Sequence, residues 1–427
     1  MHPKQQFRNL LHRTMSHAVR AVVTVAIGFG LVAMSAARAS GQTYHVLYSF
    51  TGGADGSGPF GGVTMDAAGN LYGTTYSNGV HGFGTVFKLS HKNGSWLFAP
   101  LYSFQNVPDG AHPAARVIFG PNGTLYGTTQ LGGTGCRGIG CGTIFNLRPP
   151  ATICRSVLCP WSETVLHWFG DVPDGSSPYS EVVFDRTGNF YGTTIGGGIN
   201  GRGAVYEMNS LGGESVIYSF QQGDDGASPQ AGLIFDASGN LYGASSAGGT
   251  NYGAVIELTP TQFGWNEQTL HTFQDYNLGA SPIGGLAFDS SGNLYGTTIY
   301  GGAQFSGTVY QLTPSLGSWT FHLLYSLAGN DGEGPLASLI LDSAGNLYGT
   351  TYVDGAHQQG AVFKLTHSGS GWTYTSLHDF TGGSDGAGPL GQLIFDANGN
   401  LYGTTGLGGI PGSCDSSGCG VIFEITP

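Results

Sequence analysis

The sequence is poor in charge, and poorest in positive charge. Lys and Arg number only 14 in 427 residues, and all charged residues together make up 9%. Five of the 14 (Lys4, Arg8, Arg13, Arg20 and Arg38) precede residue 40, so 14 minus five leaves nine basic residues against 26 acids in the remainder. Such an acidic surface repels phosphate backbones, which argues against nucleic acid as a partner. HExxH, GxSxG and a phosphate-binding Gly-rich loop are all missing. No local catalytic signature is therefore present, although a site assembled from single residues of several repeats would leave none. After residue 40 no stretch keeps a helical period, which excludes a helical fold.

The first forty residues form a segment of their own. The basic leader is followed by the apolar run 21–34 and then by Ala37-Arg38-Ala39, the small-x-small pattern of a signal-peptidase site. The apolar run, about fourteen residues, is short of the roughly 20 that a spanning helix needs. The expectation is a signal peptide over 1–39, a mature chain over 40–427 without a membrane span, and a secreted or periplasmic monomer. Six cysteines fit that compartment. They fall in three pairs of identical spacing, Cys136 with Cys141, Cys154 with Cys159, and Cys414 with Cys419, and are expected to form disulfides.

What the sequence has in abundance is glycine, at 76 residues, and aromatic side chains, at 12%. Both are organised by repetition. The string Gly69-Asn70-Leu71-Tyr72-Gly73-Thr74-Thr75 returns in variant form beginning at Gly123, Gly188, Gly239, Gly292, Gly345 and Gly399. Each unit holds four short apolar or aromatic runs bounded by Gly, Asn, Asp, Ser and Pro, which are strand and turn signals. In the fourth unit they are 232–236, 240–245, 254–258 and 265–273. Leu233, Ile234 and Phe235 place apolar groups on both faces of the first run, as a sheet covered on both sides requires. Four antiparallel strands in each of seven units describe an all-β, seven-bladed β-propeller. The last unit has only three runs, at 392–396, 400–406 and 420–425, while 43–50 matches the fourth runs elsewhere. The N-terminal strand is therefore expected to complete the last blade and close the ring, leaving no sheet edge open.

The string GNLYGTT, preceded by a run such as LIFDASGN, resembles the GloVer-type tandem repeat of exported bacterial proteins. It is also similar to NHL-like propellers, where an Asp-x-x-Gly-Asn turn joins the first two strands. The resemblance spans the mature chain and implies export, repetition and a propeller-like fold. The second copy departs from it at Gly120 and Thr124, so its first hairpin is expected to differ.

Several residues are candidates for chemistry. Asp55, Asp109, Asp174, Asp225, Asp331 and Asp385 each begin Asp-Gly-x-x-Pro, with Leu278 in the Asp position of the fifth copy. As a ring of carboxylates they could hold a cation such as Ca²⁺. As turns they need no ligand, because Asp bonds its own backbone and Pro fixes the approach to the strand. A residue repeated in every blade serves the blade, so the turn takes precedence and no cofactor is required. The motif tyrosines (Tyr72 and its counterparts) and Trp96, Trp161, Trp265, Trp319 and Trp372 are expected to pack between blades.

Departures from the repeat carry more information. Just before the first strand the copies read Gly62, Arg116, Glu181, Gly232, Gly285, Ser338 and Gln392. This position should lie at the channel. Arg116, Glu181 and Gln392 could there recognise a ligand, or Arg116 and Glu181 could pair across two blades. The loops after the second strands vary most and carry Tyr76, Tyr252, Tyr300 and Tyr352, on the face where recognition is expected. The histidines do not cluster. His167, His271 and His378 take the place of Tyr48, Tyr102, Tyr218 and Tyr325. The functional expectation is a non-catalytic binding or scaffold propeller for a glycan, envelope component or protein. The alternative is a propeller lyase or hydrolase acting on a polysaccharide or secondary metabolite.

Overall fold

A computed structural model describes residues 42–136, 138–150, 161–248, 252–369, 371–410, 414 and 417–426. The segment expected to be a signal peptide lies outside the described residues. So do Cys154 and Cys159, and with them the disulfide expected between Cys154 and Cys159. Seven antiparallel sheets form a ring of seven blades, and the only helical elements among the described residues are two 3-10 turns, Tyr276–Leu278 and Gly329–Asp331. Blade 4 is representative, with strands Ile234–Phe235, Leu241–Ser245, Ala254–Thr261 and Gly264–Thr272 in that order from the channel outward. The ring closes as the sequence leads one to expect. Thr43–Ser49 forms the outer strand of blade 7 and pairs with Val421–Thr426. Around the axis, Gly62 of blade 1 bridges Gln392 of blade 7 in parallel.

The repeat motif builds the first hairpin of each blade. Asp66 Oδ1 accepts from the backbone N–H of Ala68 and Asn70, while Oδ2 accepts from Asn70 Nδ2 and the Tyr72 hydroxyl. Blades 3 to 7 repeat this arrangement around Asp185, Asp236, Asp289, Asp342 and Asp396. In blade 2, Gly120 offers no carboxylate, and Asn122 Oδ1 takes Thr124 N–H and Oγ1 instead. The glycine of Leu-Tyr-Gly is fixed by packing. A Cβ on Gly73 would lie 2.6 Å from the ring of Phe87 in the third strand. Phe87 is fully buried, as are its counterparts Phe145, Tyr206, Tyr310, Phe363 and Phe423.

Adjacent blades are joined by aromatic contacts and hydrogen bonds. Tyr72 meets Phe119 of the next blade edge-on, and Trp161 packs beside it. Tyr191 stands likewise to Phe235 and Trp265. Thr74, Thr128 and Thr193 donate their hydroxyls to the carbonyls of Ala115, Ser180 and Ala231 in the following blade. Blade 3 departs in one respect: Gly175–Pro178 becomes a fifth strand paired with Phe190–Gly197. Elsewhere the same segment makes a single bridge, such as Ser57 to Ser77 or Ala227 to Ala247.

Candidate functional site

The first strands converge on a narrow central channel of about 110 Å³, lined by residues from all seven blades. Three successive positions of each repeat form three tiers along it. The tier nearest the variable loops, directly after the Pro, reads Phe60, Ala114, Tyr179, Gln230, Ile283, Leu336 and Leu390. The next is small throughout: Gly61, Ala115, Ser180, Ala231, Gly284, Ala337 and Gly391. A Cβ on Gly61 would lie 2.3 Å from the backbone carbon of Ala115, and one on Gly391 would lie 2.4 Å from the nitrogen of Gly62. This tier is the waist where neighbouring backbones touch, and it admits nothing larger.

The third tier carries the polar candidates. Arg116 Nη2 stands 3.5 Å from Glu181 Oε1, so the two residues pair across blades 2 and 3. Arg116 Nε and Gln392 Oε1 are buried without a protein partner. The ion pair is partly exposed and its net contribution to stability is small, roughly 0–1 kcal/mol.

The loop-side mouth gathers the aromatic candidates unevenly. Tyr76 packs against Phe60 at 5.2 Å between ring centroids and against His112 at 4.7 Å, and its hydroxyl donates to Gln130 Oε1 at 2.8 Å. Tyr179 reaches in from blade 3, close enough to Tyr76 and Tyr352 for their phenols to act on its own. Burial first, and then those two neighbours, push its pKa up. Phe60, with Tyr76 packed on it, and Tyr179 therefore bring aromatic side chains to the mouth from blades 1 and 3. Gln230, which donates to Ser246 Oγ, adds an amide, while Ile283, Leu336 and Leu390 supply an aliphatic wall. Tyr252 and Tyr300 are not part of this mouth. Tyr252 meets Tyr276 edge-on at 5.3 Å, Tyr276 lies 5.9 Å from Phe305, and Tyr300 is 45% exposed.

Backbone strain surrounds the same mouth. The residue before the Pro is left-handed in every copy, and in four copies it is not glycine: His112 (φ 58°), Ser177 (56°), Ser228 (54°) and Ser281 (55°). Each such conformation costs on the order of 1–3 kcal/mol, and such strain clusters at functional sites. Hydrogen bonds from the preceding blade hold it, as His112 N–H to Phe83 O and Ser228 N–H to Arg202 O illustrate.

The Asp-Gly-x-x-Pro carboxylates do not line the channel. Each ties down the link between two blades. Asp225 Oδ2 accepts from the Tyr218 hydroxyl at 2.8 Å and Gln221 N–H at 2.7 Å, and Oδ1 accepts from Gly223 N–H. Asp55, Asp109 and Asp331 hold Tyr48, Tyr102 and Tyr325 in the same way. Asp174 and Asp385 hold His167 and His378 at 3.0 and 3.2 Å. Burial alone would raise these last two carboxyls. Hydrogen bonds outweigh it and hold them below the usual carboxylate range, from His167 and backbone N–H at Asp174, and from the Thr381 hydroxyl and N–H and then His378 at Asp385. At the fifth copy, where Leu278 replaces Asp, the ring of His271 stacks on Phe321 at 4.3 Å, and burial lowers its pKa to about 4.

One position that the sequence did not single out completes these junctions. The fourth-strand residue that faces the Tyr or His of each junction from the next blade is Phe98, Glu163, Glu214, Glu267, Phe321, Tyr374 or Tyr44. Six of the seven share one register, opposite Leu or Met of the third strand. Four junctions thus carry a stacked ring, as in Tyr48–Phe98 and Tyr44–His378. Three carry a second carboxylate. Burial and then Asp109 push Glu163 up to about 7. Among the described residues, His167 gathers two carboxylates, Asp174 and Glu214, with ligand atoms all within 4.8 Å.

Cys136–Cys141 and Cys414–Cys419 are disulfides, bonds that persist in oxidising compartments. They account for two of the three pairs expected from the spacing. The third, Cys154 with Cys159, is not described, because Cys159 and Cys154 both fall in the segment 151–160 outside the described residues. Among the described residues no helix is long and apolar enough to cross a membrane.

Ring, waist and mouth define a seven-bladed propeller with one restricted, aromatic opening. The chain belongs to the Gloeobacter/Verrucomicrobia repeat family, whose model matches residues 28–164, 140–320 and 250–427. No curated protein matches the sequence. Among solved structures it is similar to the extracellular domain of a provisionally assigned one-component system from B. thetaiotaomicron, at 11% identity and a TM-score of 0.51. That match covers 89% of this chain and 40% of the other. It is also similar to a provisionally assigned 6-phosphogluconolactonase from Bacteroides uniformis, at 14% identity and a TM-score of 0.50 over 84% of this chain and 98% of the other. At such identities the likeness shows the fold alone.

Proposed function

We propose that this is an exported binding propeller whose ligand site is the loop-side mouth of the channel, and that the ligand is a saccharide of the cell envelope or its surroundings. The aromatic lining of the mouth carries the reading: Phe60 and Tyr179 line it beside Gln230, Tyr76 packs on Phe60, and the Gln130 amide holds the Tyr76 hydroxyl. Sugar rings offer apolar C–H faces to aromatic planes and hydroxyls to amides. A mouth with a few placed polar groups on an apolar wall suits both. The waist below stops the ligand, so recognition is of an end or a single exposed ring.

A second reading, an enzyme acting on a polysaccharide, draws on the Arg116–Glu181 pair and on Arg116 Nε and Gln392 Oε1, which are buried without a protein partner. One experiment separates the two. A glycan and envelope-extract binding screen, run with and without Ca²⁺ and followed by product analysis, should give saturable binding and unchanged ligand. Turnover that disappears in Arg116→Ala with folding intact would replace the first reading with the second.

A further inference from the structure

Of the seven blade junctions, the one between blades 2 and 3 combines features that no other shares. His167 closes the fourth strand of blade 2, Asp174 follows in the link, and Glu214 opens the fourth strand of blade 3. His167 Nε2 lies 3.0 Å from Asp174 Oδ2 and 3.9 Å from Glu214 Oε2. We propose that His167, Asp174 and Glu214 bind a divalent transition-metal ion of the zinc type, independently of the channel mouth.

The geometry suits such an ion. Donors on one tetrahedral zinc, each at about 2.0–2.1 Å, lie roughly 3.3 Å apart. The His167–Glu214 separation exceeds that by about half an ångström, and all three ligand atoms lie within 4.8 Å of one another. One imidazole and two carboxylates form a borderline donor set that fits zinc and its neighbours. Calcium instead takes six to eight oxygen ligands. The other carboxylate oxygen of Glu214, Oε1, is buried without a hydrogen-bond partner, as is Glu163 Oε1 in the neighbouring junction, so these facing carboxylates are costly to keep charged unless a partner satisfies them. Asp174 and Glu214 also line a surface hollow with Pro173, Asn200 and Gln221, which gives an ion a route in and leaves a position for water.

The other junctions act as controls built into the same chain. Tyr102/Asp109/Glu163 and Tyr218/Asp225/Glu267 have the two carboxylates but a phenol in place of the imidazole. His378/Asp385/Tyr44 has the imidazole and one carboxylate, with a stacked ring in place of the second. Only the junction between blades 2 and 3 has all three. His167→Tyr therefore converts it to its neighbours' pattern, which the fold already accommodates.

The test is titration of the full exported chain with Zn²⁺ alone, read by calorimetry and by the thermal midpoint, since an ion that binds only the native state raises it. The expected result is one equivalent bound and an increased midpoint. In His167→Tyr the affinity should drop at least a hundredfold, with the metal-free midpoint preserved. Glu214→Gln should lose at least tenfold, and His378→Tyr should bind as the parent does. Failure of the parent to bind Zn²⁺, or equal binding by parent and His167→Tyr, would overturn the proposal.

Discussion

Two neighbouring residues of each repeat obey opposite rules. Directly after the Pro the seven copies carry Phe, Ala, Tyr, Gln, Ile, Leu and Leu, whereas one residue later they carry only Gly, Ala or Ser. The second position faces the backbone of the adjacent blade and has no room, while the first faces the open mouth and has no such neighbour. Where packing fixes a position, its residue reports the fold. Where packing leaves it free, the residue is available for recognition. The blade junctions show the same division. Tyr or His with Asp recurs in six of seven, while the facing position alternates between a ring and a carboxylate.

Substitutions at fixed positions should hurt stability most. Gly61→Val drives two extra methyls and a Cβ into the Ala115–Arg116 backbone, so the ring must spread there. Overpacking of this kind costs about 3 kcal/mol or more, and a thermal melt should show a large loss. Asp225→Ala comes next. It strips the acceptor from the Tyr218 hydroxyl and from Gln221 and Gly223 N–H. Leaving these donors unpaired should cost about 2–3 kcal/mol by chemical denaturation.

At the freer facing position the effect is smaller and depends on pH. The Glu163 carboxyl is raised from 4.5 to about 7, first by burial and then by Asp109. The folded state thus favours its neutral form. Stability from this group is complete below pH 4.5 and is lost as pH rises through about 7. Glu163→Gln should therefore exceed the parent in stability at pH 8, by on the order of 1 kcal/mol after solvent screening, and the gap should close near pH 4.5. Denaturation at the two pH values checks both sign and window.

The fold was legible because the ring imposes nearly the same surroundings on every copy. A buried ring such as Phe87 against Gly73, and an Asp such as Asp66 under Asn70, each recur in six of the seven blades, so the constraint is written many times over. The missing fourth run of the last copy and the matching run at 43–50 then fixed the closure. Arg116 facing Glu181 was legible for the same reason, since equivalent positions of adjacent blades must be neighbours. The mouth was less so. Tyr179 and Phe60 reach the mouth from blades that are not adjacent, and spacing along the chain does not encode that approach. Aligning the residue after each Pro would have exposed Tyr179 and Phe60 as departures. Glu214 was missed because the fourth strands read as outer edges, and it meets His167 and Asp174 only once blade 3 is laid against blade 2. Tyr252 and Tyr300 shared the variable loops with Tyr76 and Tyr352. One step further along the chain placed Tyr300 away from the mouth.

The most direct measurement compares the two aromatic groups of one face. Affinity for the captured saccharide should be determined by calorimetry for the parent, Tyr179→Ala and Tyr300→Ala, with melts to verify folding. A loss of tenfold or more, about 1.4 kcal/mol, is expected for Tyr179→Ala and less than twofold for Tyr300→Ala. Unchanged affinity in Tyr179→Ala together with a loss in Tyr300→Ala would move the ligand off the axis and contradict the mouth as the site.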